Sequence, residues 1–202
     1  MKLYYYPGAC SLAPHIALRE AGLPVELVKV DLAKKQTANG EDYLKINPNG
    51  YVPTLRIDDG EYLTEVAVLL QYIADKKPGA GLAPKAGTME RYRLMELLNF
   101  ISAELHKTLG ALFNPKITPE WKEDRIALFG RRCDSLAHKL GSRPYLMGGK
   151  FTVADAYLFT ILNWTTLFQI DMDKWPKLKD YMARVAARPA VREAMNAEGL
   201  VK

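Results

Sequence analysis

Residues 2–32 read KLYYYPGACSLAPHIALREAGLPVELVKVDL, and the order of patterns in this stretch sets the fold class. The run Lys2–Tyr6 is short, aromatic and apolar, a buried-strand pattern. From Ser11 the apolar positions Ile16, Leu18 and Leu23 follow a helical step, and Gly22 stops the helix. Pro14 has no N–H, so it fits only the first turn, and the helix starts near Ser11 with Cys10 at the cap or just before it. Val25–Leu32 is a second strand. A strand, a helix and a strand in close succession form a βαβ unit and imply parallel pairing.

The patterns further out extend this unit. Residues 40–52, GEDYLKINPNGYV, predict a short helix or irregular segment ending in turn chemistry. Residues 53–64, PTLRIDDGEYLT, predict a hairpin turned at Asp59-Gly60. EVAVLLQYIADKK (65–77) predicts an apolar-faced helix. Residues 77–88, KPGAGLAPKAGT, are rich in glycine and proline without periodicity, as a linker is. Beyond them the strand signal largely vanishes. Leu94, Leu98, Ile101, Leu105, Leu109 and Leu112 mark one long amphipathic helix. Thr118 and Pro119 open another as N-cap and first helical residue, Thr152 and Asp155 have capping-box spacing, and Pro176 and Pro189 each begin a shorter helix. The expected organisation is an α/β domain over 1–80, a linker over 81–87 and an all-α domain over 88–202.

The chain has 202 residues, 49% apolar and 25% charged, an ordinary globular balance. No apolar run is long enough to cross a bilayer, and the N-terminal apolar stretch is too short for a secretory signal, so the expected location is the cytoplasm. The net charge of +5 is spread over isolated pairs such as Lys34-Lys35 and Arg131-Arg132. Nucleic-acid motif spacings are absent, and no nucleic-acid or membrane partner is expected. His15, His106 and His138 lack metal-ligand spacing, so no metal is expected. Cys133 falls inside a helical pattern and reads as a buried structural thiol.

Cys10 reads differently. A thiol at a helix N-terminus meets free N–H groups and the positive end of the dipole, which lowers thiol pKa values from about 8.5 into the range of roughly 3.5 to 7.5. The same end also suits the thiolate of a second molecule. A dithiol oxidoreductase needs a resolving cysteine three positions on, where this chain has Ala13. The site is a monothiol whose natural partner is a small external thiol.

Two further signals accompany it. In NGYVPTL (49–55), Pro53 follows Val52 and opens a predicted strand. On sequence alone the Val52–Pro53 bond reads as an ordinary trans turn, whereas a cis bond would expose the Val52 backbone to an extended peptide. In LTEVAVLLQY (63–72), Glu65 and the free N–H of Val66 lie at a strand-to-helix junction. That pair suits an α-amino-acid end, although Glu65 can equally serve only to complement the helix dipole.

Together the first-turn cysteine, the VP before the third strand and the TE before the third helix resemble the N-terminal domain of glutathione transferases. FTVADAYLF (151–159) and the late Arg188-Pro189 are similar to their helical C-terminal domain. PGACS (7–11), NPNGYVP (47–53), LTE (63–65), NFISAELHK (99–107) and AEGLVK (197–202) resemble the bacterial beta class in particular. The likeness runs from Met1 to Lys202.

The resemblance implies a thioredoxin-like N-terminal domain, an all-α C-terminal domain and a homodimer. Glutathione is the implied co-substrate, with no permanently bound cofactor. It places Cys10 beside the glutathione sulfur, Lys35 at the glycyl carboxylate, Val52 with a cis Pro53 on the cysteinyl backbone, and Glu65 and Val66 at the γ-glutamyl end. Asn99, Ala103, Glu104, Leu105 and His106 are expected on one helical face that approaches glutathione, partly from the second subunit. Lys107 adds charge, and His106 joins Cys10 as a catalytic candidate. Many family members carry glycine or serine where this chain has Val66, so a backbone contact survives there and a hydroxyl contact does not. Tyr5, Tyr6 and Ser11 rank below these, as core tyrosines and a helix cap.

The implied activity is transfer of the glutathione thiolate to an apolar electrophile, with peroxide or disulfide reduction through Cys10 beside it. The rival readings are a glutaredoxin-like thiol–disulfide oxidoreductase of the same fold and a non-catalytic binding module.

Overall fold

The structure is a computed structural model that describes residues 1–201; the final Lys202 of the AEGLVK motif lies outside them. The chain divides into two compact units, residues 1–83 together with 187 onward, and residues 84–186.

The first unit is built on a sheet of five strands in the order β3-β2-β1-β4-β5: β1 (Lys2–Tyr5), β2 (Glu26–Asp31), β3 (Gln36–Thr37), β4 (Thr54–Arg56) and β5 (Tyr62–Thr64). β1 and β2 pair parallel across α1 (Leu12–Glu20), the expected βαβ unit, while β4 joins the other side of β1 antiparallel. α2 (Val66–Lys76) follows β5. β3 has no counterpart in the sequence reading, because two residues are too short to show a period. The expected segment around residue 43 is a single 3-10 turn, Tyr43–Lys45.

Every residue of α1 from Leu12 to Leu18 is buried. A helix buried on all sides needs a second layer over it, and α8 (Pro189–Ala197) supplies that layer. The expected all-α domain over 88–202 is therefore corrected at its end: the last helix folds with the first unit. Arg188 Nε and Nη2 reach Glu20 Oε1 and Oε2 at 2.5 and 2.8 Å. Past α8, Glu198 Oε1 lies 2.9 Å from His15 Nδ1, and Glu198 Oε2 accepts the Gly8 N–H at 2.9 Å.

The second unit is helical. α3 (Met89–Phe100) runs through a π-helical stretch, Ile101–His106, into α4 (Lys107–Gly110); α5 (Pro119–Leu140), α6 (Val153–Leu167) and α7 (Pro176–Ala186) follow. Thr118 caps α5, its hydroxyl accepting the Trp121 N–H. The predicted single helix over residues 94–112 is interrupted in the middle, where the Lys107 N–H bonds to Ser102 O across five residues. Its apolar stripe is buried nonetheless, from Leu94 through Ile101 and Leu105 to Leu109. Cys133 is also fully buried, which pushes its thiol pKa up, with Asp134 adding to the effect.

α6 is the central helix, and its start depends on Asp155. This buried carboxylate accepts the Thr152 N–H (2.8 Å), the Thr152 hydroxyl (2.9 Å), the Leu146 N–H (2.9 Å) and the Tyr181 hydroxyl (3.0 Å). Burial raises its pKa, and those hydrogen bonds act against the rise. The reciprocal capping box read from the sequence is present, and it also ties α6 to α7. Asp155→Ala leaves these donors buried without an acceptor. It is expected to cost about 3 kcal/mol in urea unfolding, against roughly 1 kcal/mol for an exposed cap; a loss at the exposed-cap level would show that the donors find other partners.

Candidate functional site

The sheet register gathers the sequence signals of the first unit at one edge. β4 pairs Thr54 with Tyr4 of β1 on one side and with Thr64 of β5 on the other. The residues just before β4 therefore lie beside the end of β1 and the end of β5. Those residues are Val52 and Pro53; the loop to Cys10 leaves β1, and Glu65 leaves β5.

Val52–Pro53 is a cis peptide bond, as the resemblance implies and against the trans turn read from local sequence. The backbone ahead of it is held by buried polar groups. The Tyr43 hydroxyl donates to Tyr51 O at 2.8 Å and lies 2.8 Å from Thr54 Oγ1, and Asn47 Nδ2 donates to the same two oxygens at 2.8 and 3.2 Å. Burial raises the Tyr43 pKa, which keeps the phenol a donor. Val52 O accepts the Cys10 thiol at 3.2 Å. Among the described residues no acceptor takes the Val52 N–H.

Cys10 sits where expected, before Ser11 at the N-cap of α1, and is partly exposed. Its surroundings differ from the expected row of free donors. Leu12 N–H bonds to Ala9 O and Ala13 N–H to Cys10 O, at 3.0 and 3.2 Å, and Pro14 has no N–H. The 6–11 turn thus consumes most of the helix's first donors, leaving the Ser11 N–H. Ser11 is also not a side-chain cap: its Oγ accepts the Tyr6 N–H and donates to Tyr6 O, both at 3.2 Å. It pins the turn that carries the thiol.

Lys35 and Glu65 share an unusual backbone. Lys35 has φ 54°, and its Nζ donates to Gly50 O at 2.9 Å and stands 5.9 Å over the Tyr51 ring. Gly50 has φ +64°, and a Cβ there would come within 3.2 Å of the Lys35 stem. Glu65 has φ 67° and ψ 117°, outside the ordinary regions for a side-chain-bearing residue. Its exposed carboxylate has no partner among the described residues, and its carbonyl starts α2 by accepting from Val68 and Leu69. Strain of this kind costs about 1–3 kcal/mol and collects at functional sites. The Val66 side chain is buried, so only its backbone N–H is presented at the start of α2.

In the second unit, the expected single face over 99–106 is divided. Asn99, Ala103 and Lys107 are exposed at steps of four, whereas Leu105 is fully buried in the core. Leu105 is corrected from a face residue to a core residue. Glu104 is committed: its Oε2 takes Arg132 Nε at 2.6 Å, and its carbonyl accepts the Thr108 hydroxyl at 2.6 Å. His106 Nδ1 lies 2.7 Å from the Tyr157 hydroxyl. Its ring stacks edge-on against Trp164 at 5.1 Å, Trp164 against Phe113 at 5.0 Å, and Phe113 against Phe168 at 4.8 Å. Burial, with Lys107 second, holds the His106 pKa down to about 4.

Sequence reasoning missed Tyr43, Asn47 and Thr54, and the aromatic group around His106. The 47–50 turn signal pointed toward the first set. Tyr157, Trp164 and Phe168 are spaced for one helical face, but α6 is apolar all round and hides it. Among the described residues no cluster of His, Cys, Asp or Glu suits a metal ion, and no helix is long and apolar enough to cross a membrane.

Known proteins match along the whole chain. Residues 8–76 match the family described as glutathione S-transferase, N-terminal domain, and residues 100–189 the corresponding C-terminal domain. The chain is 43% identical to glutathione S-transferase GstA of Escherichia coli O157:H7, covering 99% of this chain and 100% of that one. A sphingomonad glutathione S-transferase solved in complex with glutathione is 47% identical with a TM-score of 0.96, covering 100% of both chains. A bacterial beta class enzyme of Sphingomonas chungbukensis is 48% identical with a TM-score of 0.96, again over 100% of both.

Two outcomes test this geometry. Glu65→Gly is expected to raise the unfolding free energy by about 1 kcal/mol through relief of backbone strain; a loss would show that the glutamate's contacts outweigh it. For His106, a folded pKa near 4 below the ordinary 6.5 means that the neutral ring stabilises the fold. That contribution is complete above pH 6.5 and is lost as pH falls toward 4. His106→Leu is expected to flatten that part of the pH–stability curve, and an unchanged slope would contradict the assignment.

Proposed function

The chain belongs to the glutathione S-transferase family, and we propose that it holds glutathione along the edge formed by Val52, cis-Pro53 and Glu65 and transfers its sulfur to an apolar electrophile. The observation that carries this reading is the register of β4. One register brings a thiol, an open backbone N–H and an unpaired carboxylate to the same edge of the sheet.

Each group suits one part of the tripeptide. Val52 offers its N–H to the cysteinyl carbonyl. Its own carbonyl, with a second lone pair beside the Cys10 contact, accepts the cysteinyl N–H. The Lys35 ammonium retains donors beyond Gly50 O for the glycyl carboxylate. Glu65 accepts the γ-glutamyl ammonium, and the Val66 N–H at the start of α2 meets its carboxylate. The Ser11 N–H supports a thiolate near Cys10, and holding that sulfur in place supplies much of the rate. The second unit holds an aromatic group of its own, His106, Trp164, Phe113 and Phe168, and exposes Asn99, Ala103 and Lys107.

A second activity is favoured by the partly exposed thiol of Cys10. Its thiolate attacks a glutathionyl disulfide, releasing the other thiol as thiolate and forming a Cys10–glutathione disulfide. A second glutathione thiolate then releases oxidised glutathione and restores Cys10. A homodimer is part of the reading, supported by large exposed apolar side chains: Tyr51 at 73%, Met89 at 65% and Tyr92 at 56%. The protein is placed in the cytoplasm because its co-substrate is the reduced thiol pool of that compartment.

Glutathione affinity, conjugation and disulfide reduction measured on one preparation test the reading. Cys10→Ala is expected to keep glutathione affinity within about threefold and to lose disulfide reduction by roughly 100-fold or more. Full reductase activity in that variant would remove Cys10 from the chemistry, and a wild-type protein that does not bind glutathione would overturn the reading.

A further inference from the structure

The side chains of Glu198 and His15 are both 0% exposed, and the chemistry proposed above uses neither. A buried carboxylate is costly unless donors surround it, and here the donors reach toward the thiol. Glu198 Oε2 accepts the Gly8 N–H at 2.9 Å, and Oε1 faces His15 Nδ1 at 2.9 Å. On the far side of the ring, Arg19 Nε donates to His15 Nε2 at 3.4 Å. A guanidinium only donates, so Nε2 is bare and the ring's proton is on Nδ1, aimed at the carboxylate. Each carboxylate oxygen is thus taken by a donor, and one donor is the backbone of the turn that carries Cys10.

The carboxylate is presented by a helix end. Glu198 is the C-cap of α8, its N–H bonded to Ala194 O. Gly199, at φ 71°, turns the chain back so that the Leu200 N–H returns to Met195 O. That return lays Leu200 against Gly8, where an added Cβ would meet Leu200 Cδ2 at 3.3 Å. Arg188 ties the other end of α8 to Glu20 of α1. The turn is tied at its base by Ser11, and its thiol donates to Val52 O at 3.2 Å.

We infer that Glu198 is a positioning residue for Cys10: through the Gly8 N–H it holds the 6–11 turn so that the thiol stays beside Val52 O. That carbonyl is also the one proposed to take the cysteinyl N–H of glutathione, so a single atom aligns both sulfurs. The inference rests on the disulfide-reduction reading of Cys10. In that reaction the Cys10 thiolate bonds to the glutathionyl sulfur. The pair of the broken S–S bond leaves on the second sulfur, which takes a proton from water. The attacking sulfur has to lie in line with the breaking bond at roughly 3–3.5 Å, which it does only while the turn keeps its place. Glu198 touches no reacting atom. Glu198→Gln separates the role sharply, because an amide has one acceptor oxygen and one donor nitrogen where two donors face the carboxylate. Gly8 N–H or His15 Nδ1–H then loses its acceptor.

Reduction of the mixed disulfide of glutathione and 2-mercaptoethanol reads the aimed attack. Alkylation of Cys10 by iodoacetamide, which needs no bound partner, reads the thiolate itself. Glu198→Gln is expected to lower kcat with the mixed disulfide by roughly 10- to 100-fold, the scale of a displacement near 1 Å, with KM and the alkylation rate each within about threefold of wild type. His15→Leu removes the donor to Oε1 and is expected to give the same split. His15→Asn puts an amide N–H near the Nδ1 position and is expected to recover most of kcat. The two His15 variants carry the test where Glu198→Gln folds poorly. An unchanged kcat in Glu198→Gln and His15→Leu overturns the inference, as does an equal fall in kcat and alkylation, or no recovery with Asn. A wild-type protein that leaves the mixed disulfide intact overturns the reduction reading itself, and the role of Glu198 with it.

Discussion

The placement of β4 between β1 and β5 is the constraint on which the rest of the first unit depends. A strand paired on both sides cannot slip without breaking two ladders and exchanging its faces. Tyr4, Thr54 and Thr64 are therefore locked side by side, and the residues that follow or precede them inherit their positions. The edge proposed to hold glutathione is a by-product of this register. Fixing it also requires that the backbone entering β4 be held still, which Tyr43 and Asn47 do through Tyr51 O and Thr54 Oγ1.

The same device recurs at other key points. Asp155, the Glu198–His15 pair and the Tyr43 group are each polar clusters inside apolar surroundings, and among the described residues no buried side-chain nitrogen or oxygen lacks a partner. Such clusters add little net stability compared with apolar packing, but a misplaced member leaves a buried group unsatisfied at high cost. They set positions where the apolar core alone would accept several. The three clusters hold the start of α6, the loop before Cys10 and the backbone before Pro53.

Much of this was legible in the sequence because the signals were local. Pro14, Pro119 and Pro189 each marked a helix start through a missing N–H. The Thr152–Asp155 spacing announced the cap, and the alternation of strand and helix announced the parallel pair. What failed to show depends on contacts far along the chain. β3 owes its existence to β2. Whether α8 joins the first or the second unit is decided by what covers α1, and the pattern of Pro189–Ala197 fits either. The π-helical stretch leaves the apolar spacing intact, and that spacing put Leu105 on the buried stripe; only the family resemblance set it on the face with Asn99. The free donors expected at Cys10 were lost to the turn beneath them, because the Leu12 and Ala13 N–H groups bond to Ala9 O and Cys10 O. Glu65 displays a strained backbone that no residue pattern signals.

The return of α8 to α1 has a consequence for how the protein is made. Residues 84–186 form their unit from one unbroken stretch of chain, whereas the first unit is assembled from two. The first unit, although its sheet is synthesised first, stays uncovered over α1 until α8 has been made. The segment carrying Cys10 thus belongs to a unit that is complete only when the α8 segment has joined residues 1–83.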